Sequence, residues 1–427
     1  MQLNARKPTA RATFAKKIKT MAAHKKHNLI LILGALTALG PFSIDMYLPG
    51  FTAIAADLGT TVNKVSLSLS SYFIGISAGQ LLYGPLLDRF GRKRPLYIGL
   101  TVHILASLGC ALTNDIDVLI GLRFVQAVGS CAAAVASMTM VRDLFPVEDS
   151  PKIFSLLMLV VGLSPMLAPT IGGYVIAGLG WHVVFLILMC MGIAVLLASR
   201  FGLPHTRKPD LSISLSPKPI LSNFALVLKN PQFYTYAFSG AIAFSGLFTY
   251  VAGSPLLFMD IFHVSEKTYG WIFAFMSVSF IGSSQLNSVL LKKYTSQQLV
   301  FISLSLQCLI SLVFLVAAMN GWLNLYGTIA MLFLYLGCLG LSNPNTAGLS
   351  LAPFSENAGS ASALLGALQL GLGALASVAV GIFVKETMVP MIVIMACSTA
   401  LALVVLLFGR GKIKSPAAAE RDTGFMH

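Results

Sequence analysis

Two residues in this chain have the right type and setting for chemistry. Asp45, a carboxylate, and Arg123, a guanidinium, each interrupt a long apolar run. Charge inside a lipid-spanning segment is costly and marks a functional site by default, usually with a partner. In the functional reading Asp45 takes up and releases a proton, Arg123 tunes it, and proton and substrate compete for one site. In the bland reading the two form a structural ion pair that locks two helices and takes no part in turnover. Gln126 follows Arg123 by three residues and so shares its helical face. His103 reads as a core or lipid-edge residue rather than a proton relay. Cys110, Cys131, Cys190, Cys308, Cys338 and Cys397 lie in apolar runs without CxxC spacing. They read as packing residues, and no metal site is expected.

The elements that hold these groups follow from composition. The 427 residues are 56% hydrophobic and 10% charged (DEKR), against about 25% charged in soluble domains. Lys+Arg number 29 and Asp+Glu 15. Such an excess suits nucleic acid only as a water-facing patch, and here apolar runs separate the bases. Windows of about 20 apolar residues predict twelve membrane-spanning helices, at 28–50, 66–87, 95–113, 116–141, 152–178, 181–203, 232–257, 269–291, 298–318, 321–345, 357–384 and 388–410. The break at Gly180-Trp181 rests on the glycine and an interfacial Trp.

Charge sets the orientation. All the Lys and Arg except Lys64, Arg123, Lys267 and Lys385 fall in alternate loops, in the tails or at the span ends that adjoin them (Lys152, Arg200 and Arg410). The positive-inside rule then puts both termini in the cytoplasm. The chain divides into a basic cytoplasmic tail (1–27), a six-helix half (28–203), a central cytoplasmic loop (204–230), a second six-helix half (231–410) and a cytoplasmic tail (411–427). Phe73-Ile74-Gly75 with Gln80-Leu81 is echoed six spans later by Phe280-Ile281-Gly282 with Gln285-Leu286, as a parallel duplication of halves requires. Asp45 precedes the predicted helix end at Gly50 by about 7–8 Å, and Arg123 follows its helix start by about 10 Å. The two therefore share a level.

The loop after the second span reads Gly84-Pro-Leu-Leu-Asp88-Arg89-Phe-Gly91-Arg92-Lys93-Arg94. Gly84 is expected to let helices approach and Gly91 to permit a tight turn. Asp88 can meet a helix N-terminus or an Arg, and the bases can anchor to anionic lipid.

This loop resembles the signature of the major facilitator superfamily. The chain is also similar to the Bcr/CflA type of drug:proton antiporter, through Ser43-Ile-Asp45-Met-Tyr47-Leu-Pro49, Leu122-Arg123-Phe-Val-Gln126, Val141-Arg142-Asp143-Leu-Phe145, Gly253-Ser254-Pro255, Gln285-Leu-Asn287 and Ala358-Gly359-Ser360-Ala361-Ser362-Ala363. The resemblance covers about 30–405 and implies the major facilitator fold, an all-α polytopic membrane protein with twelve transmembrane helices in two pseudo-symmetric six-helix halves. It implies that Asp45 is the proton- and substrate-binding acid and Arg123 the fourth-helix arginine. It also implies a conformational latch of Gly84, Asp88, Arg89, Gly91, Arg92 and Asp143, with Asp88 meeting the start of the eleventh span and Arg92 meeting Asp143 to hold the halves together. The antiporter string of the fifth span appears as Ser164-Pro-Met-Leu-Ala168-Pro169-Thr-Ile-Gly172-Gly173. Pro169, Gly172 and Gly173 match, Ser164 and Ala168 replace glycines, and close packing on the eighth span is implied.

The expected function is proton-coupled efflux of small amphipathic drugs, bicyclomycin- or chloramphenicol-like, across the bacterial inner membrane by alternating access. Substrate contacts are expected at Asp45, Tyr47, Arg123, Gln126, Tyr250 and Asn287. No cofactor is expected beyond the proton gradient. The expected partners are a small-molecule substrate, protons and membrane lipids, with no nucleic acid, for a monomer that is not an enzyme. The alternatives are a metabolite exporter (sugar, amino acid or siderophore-like) and a non-transporting receptor or scaffold.

Overall fold

The structure is a computed structural model that describes residues 23–145, 150–204, 224–354, 358–383, 387–411 and 413. Among the described residues there is no strand, and twelve helices are long and apolar enough to cross a membrane. They are α1 (Ala23–Asp45), α2 (Val62–Phe90), α3 (Lys93–Leu112), α4 (Ile116–Leu144), α5 (Ser150–Leu179), α6 (Trp181–Gly202), α7 (Pro231–Pro255), α8 (Glu266–Leu290), α9 (Ser296–Met319), α10 (Leu325–Leu351), α11 (Ala358–Phe383) and α12 (Val389–Arg410). Most of the basic N-terminal tail, the central segment 205–223 and nearly all of the C-terminal tail lie outside the described residues.

Several helix starts follow from capping chemistry. The first N–H groups of a helix have no partner within it, and Asp, Asn and Thr side chains supply one. Thr61 accepts from the Lys64 amide at the start of α2, and Asn324 from the Gly327 amide at the start of α10. Asn230 caps α7, and Thr295 with Gln298 forms a capping box on α9. Asp115 accepts from the Val118 and Asp117 amides, which hold its carboxyl below the usual carboxylate range.

The first span departs from the sequence expectation. Its α-helix stops at Asp45, passes through a 3-10 turn at Leu48–Gly50 and resumes over Phe51–Asp57. Pro49 lacks an amide donor and sits in the turn. The helix restarts because Phe51, Ile54 and Ala55 form a buried face. Gly50 is therefore not the end of the span. Asp45 lies twelve residues before Asp57, where this apolar segment ends.

The chain forms two compact units, Met1–Leu215 with Ser265–Ala274, and Ser216–Val264 with Phe275–His427. In the first, α1 packs on α4, α5 and α6, while α3 packs on α4 and α6. In the second, α7 packs on α10, α11 and α12, while α9 packs on α10 and α12. Adding six to each helix number converts one pattern into the other, which is the duplication the sequence echo hinted at. The echoed glycines themselves behave differently. A Cβ on Gly75 would strike the Phe124 carbonyl and Ala127 of α4, whereas Gly282 has open space. In the second unit the close approach is made by Gly340 of α10, against Phe280 and Ser283 of α8.

Trp181, at the start of α6, is buried and its indole N–H donates to Asp57 Oδ2 at 3.0 Å. One further expectation needs correction. Cys190 and Cys397 are exposed on their helices, while Cys110, Cys131, Cys308 and Cys338 are the packed ones.

Candidate functional site

The break in α1 builds the site. The last four carbonyls of an α-helix have no intrahelical partner, and here one of them is Ser43, two residues before Asp45. Arg123 of α4 donates from Nη2 to that carbonyl at 2.8 Å and from Nη1 to Gln126 Oε1. Gln126 passes its own Nε2 to Ser107 Oγ on α3 at 2.7 Å. Ser107 in turn donates to the His103 carbonyl.

Aromatic faces complete the cage. The Arg123 guanidinium carbon lies 4.2 Å from the ring centre of Tyr47, 4.2 Å from that of Tyr72 and 5.7 Å from that of Phe185. A desolvated cation over such a ring gains about 2 kcal/mol or more. Tyr72 is fixed by its hydroxyl against Ser130 at 2.8 Å, and Tyr47 by a 3.3 Å contact with Ser68. Arg123, Gln126, Tyr47 and Tyr72 are fully buried. The cation thus has its compensation in ring quadrupoles and carbonyl dipoles.

Asp45 is not its counter-ion. The carboxyl is 5% exposed, and among the described residues it has neither hydrogen bond nor ion pair. The bland ion-pair reading fails: the Arg123 Nη atoms donate to the Ser43 carbonyl and Gln126, its plane meets the Tyr47 and Tyr72 rings, and its Nε is buried without a hydrogen-bond partner. What remains is a carboxyl at a helix break that can gain or lose a proton, or meet a cationic group, without breaking a salt bridge.

The antiporter string packs onto this break. A Cβ on Gly172 of α5 would collide with the Met46 carbonyl, one residue past Asp45. Gly173 and Gly270 meet in the same way, Gly173 against Glu266 and Gly270 against Pro169 and Thr170. Thr170 Oγ1 reaches the Gly270 carbonyl at 3.2 Å. The implied packing of the fifth span on the eighth is present, and the contact of Gly172 with the first span is an addition to it. Ser164 turns its hydroxyl back onto the Val160 carbonyl at 2.8 Å, and Ala168 is fully buried.

In the loop after α2, Arg92 donates from Nε to Asp143 Oδ2 at 2.8 Å and from Nη1 to Asp88 Oδ1 at 2.6 Å. These two carboxylates outweigh the cost of burial and raise the Arg92 pKa further. All three residues belong to the first unit, so this contact ties the end of α2 to the end of α4 and does not bridge the halves. Gly91 has φ of 78°, as a tight turn needs. A Cβ on Gly84 would find nothing within 4 Å, so this glycine brings no helix close. Arg89 lies over the Phe90 ring at 5.7 Å. The eleventh span starts at Ala358, and the side chains of its first residues, 358–360, expected to receive Asp88, lie outside the described residues.

Residues 33–378 match the model of the Major Facilitator Superfamily. The chain belongs to that superfamily. It is 35% identical to an uncharacterized MFS-type transporter, YdgK, of Bacillus subtilis, covering 86% of this chain and 91% of the relative. It is 31% identical to a bicyclomycin resistance protein homolog of Haemophilus influenzae, covering 89% and 95%. Among solved structures, a D-xylose-proton symporter superposes with a TM-score of 0.71 at 13% identity, covering 90% of this chain and 97% of that one, and shares the fold.

Two residues in the second unit were expected at the substrate. Tyr250 is buried within α7. Asn287 sits three residues from the end of α8, and its Oδ1 accepts from Asn345 Nδ2 of α10 at 2.6 Å. Its amide oxygen therefore serves a helix–helix tie, beside a second tie from Gln369 of α11 to Asn343 at 3.0 Å. Sequence reasoning missed Tyr72, Phe185 and Ser107. Aromatic and serine residues are ordinary in spanning helices, and only the fold shows which of them face Arg123.

Proposed function

We propose that this superfamily member is a proton-coupled drug exporter, a monomer in the bacterial inner membrane with both termini in the cytoplasm. Asp45 carries the coupling proton. One observation supports this reading above the others: a carboxyl buried at a helix break with no counter-ion among the described residues. Charge is expensive at such depth, so a proton or a cationic group on the substrate accompanies the carboxyl when the site closes. Competition between the two then couples export to proton entry. Arg123 holds the broken helix in register and sets the local field. The name of the Haemophilus influenzae relative supports a bicyclomycin-like substrate, and the basic loops on alternate sides support the orientation. The reaction needs no cofactor and no covalent step.

The test is accumulation of chloramphenicol or bicyclomycin by cells with and without the gene, with an imposed pH gradient across proteoliposomes as the driving force. Wild-type protein lowers accumulation and moves drug in the direction opposite to the protons that run down the gradient. Gradient-driven export at the wild-type rate by Asp45→Asn contradicts the proton role.

A further inference from the structure

Arg410 ends α12 and has no carboxylate partner among the described residues. Its guanidinium carbon lies 5.1 Å from the Phe301 ring centre. Beside it the starts of α7 and α9 and the end of α12 enclose a cavity of about 940 Å³, lined by Gln232, Tyr236, Gln298, Phe301, Leu406 and Arg410 among others. This cavity belongs to the second unit, whereas Asp45 and Arg123 belong to the first.

The lining is built for an anion. It contains no Asp or Glu. Tyr236 is 4% exposed, and among the described residues its hydroxyl has no hydrogen-bond partner. Arg410 lines the same cavity. Gln298 gives its Oε1 to the capping box, which leaves its Nε2 as a donor. Gln232 is anchored by donation to the Leu349 carbonyl at 2.9 Å. A guanidinium fork, a phenol and an amide N–H around one space match the several acceptor oxygens of a phosphate.

The surroundings say what carries that phosphate. From Phe301 the apolar surface continues along α9 through the exposed Ile302 and Leu309, and α12 presents the exposed Val404 and Phe408. These two helices pack on each other. A cavity lined by both polar and apolar side chains, at the ends of helices that carry exposed apolar residues, fits a molecule with a charged head and hydrocarbon tails. A free anion has no use for the apolar part.

We propose that this cavity binds the phosphate headgroup of an anionic phospholipid, from the leaflet on the side where α12 ends, with its acyl chains along α9 and α12. A basic pocket between helices at that depth has the electrostatics for such a headgroup.

The experiment is native mass spectrometry of the purified full-length chain in neutral detergent, titrated with dioctanoyl-phosphatidylglycerol, dioctanoyl-phosphatidylcholine or inorganic phosphate. Wild-type protein retains phosphatidylglycerol in preference to phosphatidylcholine. Arg410→Ala weakens that binding about tenfold or more, as loss of a charge-assisted hydrogen bond requires. Tyr236→Phe keeps the ring and its packing and weakens binding by about threefold. Arg200→Ala, which removes a base from the end of α6, leaves it unchanged. Equal retention of phosphatidylcholine, or unchanged affinity in both the Arg410 and Tyr236 variants, overturns the proposal. Binding of inorganic phosphate as tight as that of phosphatidylglycerol overturns the lipid assignment in favour of a free anion. An equal loss in Arg200→Ala shows a diffuse charge effect and overturns the site.

Discussion

Arg123 Nη2 donates to the backbone carbonyl of Ser43 at 2.8 Å, two residues before Asp45 and where the first helix breaks. A side chain on one spanning helix thus satisfies the frayed backbone of another. The carboxyl beside this contact is left without a partner of its own.

The first prediction concerns that arginine. A lysine ammonium is a compact point charge and cannot span the Ser43 carbonyl and the Gln126 amide oxygen together. Arg123→Lys is expected to fold but to lose most gradient-driven export. Arg123→Ala, which also leaves the Ser43 carbonyl without its donor, should lose about 1–3 kcal/mol of stability. Melting of the purified variants in detergent, read beside proteoliposome transport, checks both statements.

The aromatic cage yields a second. Tyr47→Phe and Tyr72→Phe keep the ring faces 4.2 Å from the guanidinium and should transport near the wild-type rate. Tyr72→Leu removes a face worth about 2 kcal/mol and should cut transport sharply. Equal transport by the Phe and Leu variants would dismiss the cage.

Two glycines from recognised motifs should behave in opposite ways. Gly172→Ala drives a Cβ into the Met46 carbonyl at the helix break, so export should fall steeply even where the protein is still made. Gly84 has open space, and alanine favours a helix by about 0.5–1 kcal/mol over glycine. Gly84→Ala should therefore be neutral or slightly stabilising. Expression, melting and export of the pair decide the matter.

A fourth prediction separates a structural amide from a substrate ligand. Asn287→Ala and Asn345→Ala should each destabilise the chain, and a double-mutant cycle should return a coupling of about 0.5–1.5 kcal/mol from the 2.6 Å bond. Drug affinity should be unchanged in both. A drop in affinity confined to Asn287→Ala would return that residue to the substrate site.

Arg92→Ala leaves Asp88 and Asp143 without the cation that joins them. Turnover is expected to fall more than substrate binding, because the tie holds the ends of α2 and α4 rather than touching the drug. A proportional loss of both would remove the distinction.

Much of this architecture can be read from sequence for simple reasons. A spanning helix must carry about 20 apolar residues, so hydropathy places all twelve spans, most of them to within a few residues; the first runs on to Asp57 and the tenth to Leu351. Gly91 was legible because a tight turn with positive φ asks for glycine. The resemblance paired Arg92 with Asp143 correctly, but that pair lies within one half. The break after Asp45 was hidden because Pro49-Gly50 looks like a helix end, while the continuation to Asp57 depends on a buried face seen only in three dimensions. The partner of Arg123 was misjudged for a related reason. Opposite charges at one depth suggest an ion pair, whereas rings and carbonyls that can replace it carry no mark in the sequence.

The central claim is that Asp45 exchanges a proton for substrate. Its most direct test is proton release on addition of chloramphenicol or bicyclomycin to purified protein in weakly buffered detergent solution. Wild-type protein should release a proton as drug binds, and Asp45→Asn should bind drug with no release. Undiminished release from the Asp45→Asn protein would contradict the account.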